Sequence, residues 1–110
     1  MNNFMLKAML LLAVLLCCGV SAFADTKIWQ DSIQYELRDD LTAYVSNAGS
    51  NIETANIPEK ITYEGKDYAV TRIESYAFYG CGSLGSVVIP SSVTSIRAYA
   101  FCKCISLYSV

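Results

Sequence analysis

Ser32 to Arg38 reads SIQYELR, with Ile33, Tyr35 and Leu37 alternating with Gln34, Glu36 and Arg38. Successive side chains of a strand point to opposite faces, so this alternation predicts a half-buried strand with the three apolar residues inward. Asp39-Asp40 predicts a turn, because aspartate side chains bond their own backbone, and Leu41 to Ser46 predicts a returning strand. Asn47 to Asn51, small and polar, predicts a loop. Farther on, Lys60–Glu64 and Asp67–Thr71 predict a hairpin turning at Gly65-Lys66.

Beyond Ile73 the pattern changes from alternation to repetition. SYAFYGCGSL, residues 75–84, returns as AYAFCKCISL, residues 98–107. Aligned over 73–87 and 96–110, nine of fifteen positions are identical, among them Ile73/Ile96, Tyr76/Tyr99, Phe78/Phe101, Cys81/Cys104, Leu84/Leu107 and Val87/Val110. The period, about 23 residues, lies within the range of leucine-rich repeats. Leu84-x-x-Val87-x-Ile89 has their spacing, with Val87 and Ile89 entering the interior and Ser86 and Val88 facing out. Pro90, lacking an amide donor, closes the strand. Val93 and Ile96 supply a second apolar edge, and Tyr76 to Cys81 is expected to turn back as a compact, one-turn helical stretch carrying Ala77 and Phe78 inward. One such coil cannot bury its apolar set alone; the next coil must cover it.

The string IESYAFYGCGSLGSVVIPSSVTSI, Ile73 to Ile96, resembles the BspA-like leucine-rich repeat family. Its fixed positions are met by Ile73, Ala77, Phe78, Cys81, Leu84, Val87, Ile89, Pro90, Val93 and Ile96. A partial echo lies at Ala55-Asn56-Ile57-Pro58, interrupted because the stretch from Pro58 to Ile73 is much longer than that from Pro90 to Ile96. The resemblance implies a mostly β fold: a short leucine-rich-repeat solenoid, one short parallel strand per coil, behind an N-terminal β-hairpin-rich cap. The expected organisation is a cap over 25–72 and about one and a half repeats over 73–110. The sequence stops at Val110, where the repeat predicts another x-Ile-Pro. Two alternatives follow, a truncated array or an open strand edge that pairs with something. The resemblance further implies a secreted or cell-surface protein that binds or adheres to extracellular or host surface proteins of the fibronectin and fibrinogen kind. The alternative is a structural fragment of a longer repeat protein that binds nothing itself.

Composition narrows the chemistry. Met1 to Lys7, an apolar run from Ala8 to Val20 and Ala22-Phe23-Ala24 together predict a secretion signal over 1–24, cleaved after Ala24. The apolar run is short for a membrane span, which takes about 20 residues. Lipidation at Cys17 or Cys18 is the rival reading, disfavoured because Leu16 and Cys17 precede them instead of a small residue. Without the leader, seven basic residues face ten acidic ones. Lys60, Lys66 and Arg72 are spaced apart among acids, so no clustered positive face for nucleic acid is expected. With no histidine, Ser-His-Asp and Cys-His catalysis are excluded. A carboxylate enzyme is the remaining catalytic alternative, with Asp39-Asp40 the only adjacent pair, and no catalysis or cofactor is assigned.

Cys81, Cys102 and Cys104 remain after cleavage. Cys81 and Cys104 should stack about 5 Å apart, close enough for a disulfide. Stacked side chains point the same way, however, which favours buried thiols used as small hydrophobes. Cys102-x-Cys104 falls short of a zinc site. Cys102 is the thiol expected to be open to an intermolecular disulfide. Phe78 and Phe101 belong to the core, and Trp29 is expected to seal the cap. Tyr76, Tyr79, Tyr99 and Tyr108 fit either a solenoid edge or a binding surface. Ser86, Val88, Tyr108 and Ser109 are the expected partner-facing positions on the outward strand face. Two five-residue strands offer roughly 170 Å² there, far below the about 800 Å² per partner of a specific interface. Self-association through the open C-terminal edge is a further expectation.

Overall fold

The computed structural model describes residues 26–110, and all regular structure among them is strand. The expected secretion signal, its cleavage site and Cys17 and Cys18 lie outside the described residues.

β1 (Thr26–Gln30), β2 (Ile33–Leu37) and β3 (Thr42–Ala48) form an antiparallel meander. In β2 the alternation holds as read: Ile33, Tyr35 and Leu37 are buried, and their neighbours are not. After a short strand β4 (Thr54–Asn56), the hairpin of β5 (Lys60–Tyr63) and β6 (Lys66–Ile73) pairs Tyr63 with Lys66. Its turn is therefore Glu64-Gly65, one residue earlier than expected. Both turn residues have positive φ, 49° and 79°, the twist that two-residue hairpins prefer. β6 then lies parallel to β3, with a register shift between Ala43 and Tyr44.

Beyond this sheet the chain coils. β4 pairs in parallel with β7 (Ser86–Val88), and Ser86 bridges to Ser109. The coil from Thr54 to Ser86 is longer than the coil from Ser86 to Ser109. The excess matches the longer spacing from Pro58 to Ile73, which the β5–β6 hairpin occupies. Ala55-Asn56-Ile57-Pro58 is therefore part of a true coil, with Ala55 and Ile57 buried. A second parallel ladder runs along the other edge, from β6 to β8 (Ser95–Ile96), through Arg72↔Ser95 and Ile73↔Ile96. Each coil thus carries two short strands where one was expected.

The corners are also bonded from coil to coil. The Phe78 amide donates to the Ala100 carbonyl at 2.8 Å, Gly80 to Cys102 at 2.9 Å and Val87 to Ser109 at 3.0 Å. Inside, the Phe78 and Phe101 rings stack at 5.1 Å and 13°, a geometry that adds to their burial. One continuous core runs from Ile33 through Val45, Val70, Phe78 and Leu84 to Ala100, and among the described residues it holds no buried polar one.

Three further expectations need correction. Tyr76–Cys81 is no helix but a run of tight turns: Ala77 bonds to Glu74, Tyr79 to Tyr76 and Cys81 to Phe78, with Tyr76 and Gly80 at positive φ. Those two left-handed residues prevent a continuous helical turn. Trp29 seals nothing; it stands 54% exposed on β1, because Ile28, not Trp29, takes the inward position opposite Tyr35. The loop after β3 starts at Gly49, since Asn47 and Ala48 still pair with β2.

Candidate functional site

The strand face of the coils carries the positions singled out above. Thr54 on β4, Ser86 on β7 and the single bridging residue Ser109 stand in register on three successive coils, and Asn56 lies beside Val88. Val87 and Ala55 point inward, so these residues point out by alternation. Ser86 is half-buried, Ser109 exposed and Val88 57% exposed. Tyr108 is 83% exposed and precedes the strand position, occupying the place that Gly85 holds one coil earlier. Its ring lies along Gly85: a Cβ added there would sit 2.9 Å from the ring's Cε2. The face is small and uncharged apart from Glu53 at its margin, with one aromatic ring laid over it.

The other tyrosines gather at a corner instead. Tyr76 and Tyr99, one coil apart, stack at 5.3 Å, Tyr79 meets Tyr76 edge-on at 5.4 Å, and the Lys103 ammonium lies 5.9 Å from the Tyr79 ring. The structure therefore separates Tyr108 from the residues grouped with it by type.

The thiols of Cys81, Cys102 and Cys104 are all free. Cys104 donates to the Phe78 carbonyl at 3.0 Å and Cys81 contacts the Gly49 carbonyl at 3.8 Å, each reaching the preceding coil. Burial pushes both thiols above the usual cysteine range, which disfavours the reactive thiolate.

Asp40 accepts from the Thr42 hydroxyl at 2.6 Å and the Thr42 amide at 3.1 Å. These bonds, the hydroxyl's first, hold its carboxyl below the ordinary range. A carboxylate stabilised as the anion shapes a turn and makes a poor proton donor. Beside it, a cleft of about 320 Å³ opens between the β2–β3 turn and the β5–β6 hairpin tip, with Arg38, Asp39, Glu64 and Lys66 at its walls.

Sequence reasoning missed one feature. On the outer face of the sheet the Tyr44 ring lies between two guanidinium groups, Arg38 at 4.8 Å and Arg72 at 4.2 Å. Arg38 also bonds Glu36 at 3.1 Å, and Arg72 lies 3.8 Å from Glu74. Alternation in β2 marks Glu36 and Arg38 as outward, but the register shift beside Tyr44 hides Arg72 from the same count.

Comparison with known proteins follows the same lines. The family profile described as BspA type leucine rich repeat region (6 copies) matches residues 3–108. A leucine-rich repeat protein from Bacteroides capillosus is 30% identical at a TM-score of 0.71, over 77% of this chain and 64% of that one. One from Bacteroides ovatus is 33% identical at 0.68, over 74% of this chain and 22% of the other. A leucine rich cell surface protein from Faecalibacterium prausnitzii shares the fold, at 24% identity and TM-score 0.56, over 82% and 31%. The chain spans less than two thirds of each of these structures. No curated protein matches it.

Proposed function

Because the chain belongs to the BspA-type leucine-rich repeat family, we propose that it is a secreted or cell-surface module for protein–protein interaction, adhering to extracellular proteins. The observation that carries this reading is the outward strand row, Thr54, Ser86 and Ser109 in register beside exposed Val88 and Tyr108. Solenoids bind along such rows because each coil adds one rung to a continuous surface. The F. prausnitzii neighbour, described as a cell surface protein, supports the location. No catalytic role is assigned.

The test is binding of the full chain, expressed in a secreting host, to immobilised fibronectin and fibrinogen. Val88→Asp and Tyr108→Ala should each weaken a saturable signal several-fold. No saturable binding, or binding indifferent to both substitutions, refutes the reading. A second reading, self-association through the last coil, is favoured by the exposure of Ile96, Ile105 and Val110. It predicts that the apparent mass in light scattering rises with concentration.

A further inference from the structure

The outer face of the N-terminal sheet differs from the strand row in every respect. Rung by rung, Lys27 on β1 faces Glu36 on β2, Glu36 faces Tyr44 on β3, Tyr44 faces Arg72 on β6, and Arg72 faces Ser95 on β8. One rung away Trp29 faces Gln34, whose side chain is bonded to Ser46 at 3.2 Å. Arg97 follows β8 at the position of Glu74 one coil on, and is exposed. All three arginines of the chain, together with Lys27, are thus gathered here against three of its ten acidic residues, Glu36 and Glu74 on the face and Asp40 within the field of Arg38. The chain as a whole is net −2. The face is locally positive on an acidic protein.

Its residue types are those that dominate binding energy, tryptophan, tyrosine and arginine. They are also preorganised. Both guanidinium groups lie over the Tyr44 ring, Arg38 donates to Glu36 at 3.1 Å and Arg72 is ion-paired with Glu74 at 3.8 Å, with the arginine side chains still 36% and 31% exposed. Ordering already present in the free protein is not charged to binding.

We propose that this face is a docking surface for an acidic, extended peptide segment of a partner protein. From β1 to β8 the face spans about 19 Å across five strands, the length of five or six extended residues. At roughly 320 Å² it falls well short of the about 800 Å² per partner of a globular interface, so a short extended segment is the partner whose size it matches. Charge complementarity selects carboxylates. Glu36 and Glu74, set between the cations, select a peptide over a uniformly sulfated glycan, because their negative charge interrupts the positive face and would repel a polymer charged at every unit. The inference concerns a different surface from the strand row and does not rest on it.

Trp29 is the chain's only tryptophan, so its emission reports on this face alone. The full chain is titrated with an end-capped hexapeptide of alternating glutamate and valine, its lysine–valine counterpart and a heparin-derived hexasaccharide. The expected result is a saturable change with the glutamate peptide, weakened at least about tenfold between roughly 50 and 500 mM salt by screening. Arg38→Gln with Arg72→Gln should weaken it as much. Lys27→Gln, a neutral change at an exposed edge position, should weaken it about twofold. Val88→Asp and Tyr108→Ala should leave it unchanged, which separates this surface from the strand row. No saturable change, equal response to the lysine peptide, or tighter binding of the hexasaccharide overturns the proposal.

Discussion

Ile73 has 0% exposure, whereas Ile96, its counterpart in the next coil, has 48%. Val87 and Val110 stand at 2% and 68%. Phe78, Cys81 and Leu84 are buried, while Phe101, Cys104 and Leu107 are half-buried. The two copies share backbone conformation down to their left-handed residues, φ 62° and 63° at Tyr76 and Tyr99. What separates them is the neighbour. The first copy lies between the sheet and the second; among the described residues, nothing covers the second on its far side. Burial in a solenoid is a property of the stack, and a motif alone does not confer it.

The sharpest way to break this comparison is to remove the stacked rings one at a time. Phe78→Ala should cost about 3–5 kcal/mol, the usual loss for a sealed phenylalanine. Phe101→Ala, with one side of its ring open to water and room to collapse, should cost about half as much. Urea unfolding of both variants measures the difference. Equal costs would mean that covering does not set the energetics of the coils.

This contrast also shows what was legible in advance. Ile33, Tyr35 and Leu37 declared their face because period-two alternation is a local property. Phe78, Leu84 and Val87 declared theirs because the repeat recurs in register. β1 stayed hidden: Thr26–Gln30 is an edge strand with only Ile28 half-buried, so it carries no alternation to read. β8 stayed hidden because two residues are too few for any pattern, and its pairing depends on β6 alone. Of the candidate surfaces, Ser86, Val88 and Ser109 could be placed by counting along the strand. The Arg38–Tyr44–Arg72 stack could not, since it joins three strands that parallel and antiparallel pairing bring together.

A second test probes covering with charge instead of volume. Burial, with the Asp31 carboxylate adding to it, pushes the Tyr35 phenol up to about 12. A raised folded value means that the folded state favours the neutral phenol. That stability is fully present below the unfolded value of about 10 and is lost as pH rises through about 12. The full effect is on the order of 2–3 kcal/mol. Denaturant midpoints measured from pH 8 to 12 should fall less steeply for Tyr35→Phe than for the parent chain, since the exposed tyrosines contribute equally to both. Parallel curves would show that Tyr35 is not sealed.

The smallest expected effect falls where the copies differ in residue but agree in backbone. Gly80 has φ 72°, and Lys103, its counterpart one coil on, has φ 63°. A side chain in this conformation costs roughly 1–2 kcal/mol. Gly80 has open space where a Cβ would go, so Gly80→Ala should destabilise by about 1 kcal/mol through backbone conformation alone. Lys103→Gly recovers the same strain, but glycine loses roughly 0.5–1 kcal/mol more chain entropy on folding. It also gives up the ammonium contact to the Tyr79 ring at 5.9 Å, worth about 0.5 kcal/mol at an exposed site. These terms nearly cancel, so Lys103→Gly should shift stability by no more than about 0.5 kcal/mol. Thermal melting of both variants checks the asymmetry. A gain well above about 1 kcal/mol from Lys103→Gly would mean that the second coil is held in a conformation its sequence resists, and that the pairing of Gly80 and Cys102 across the corner imposes the fold of one copy on the other.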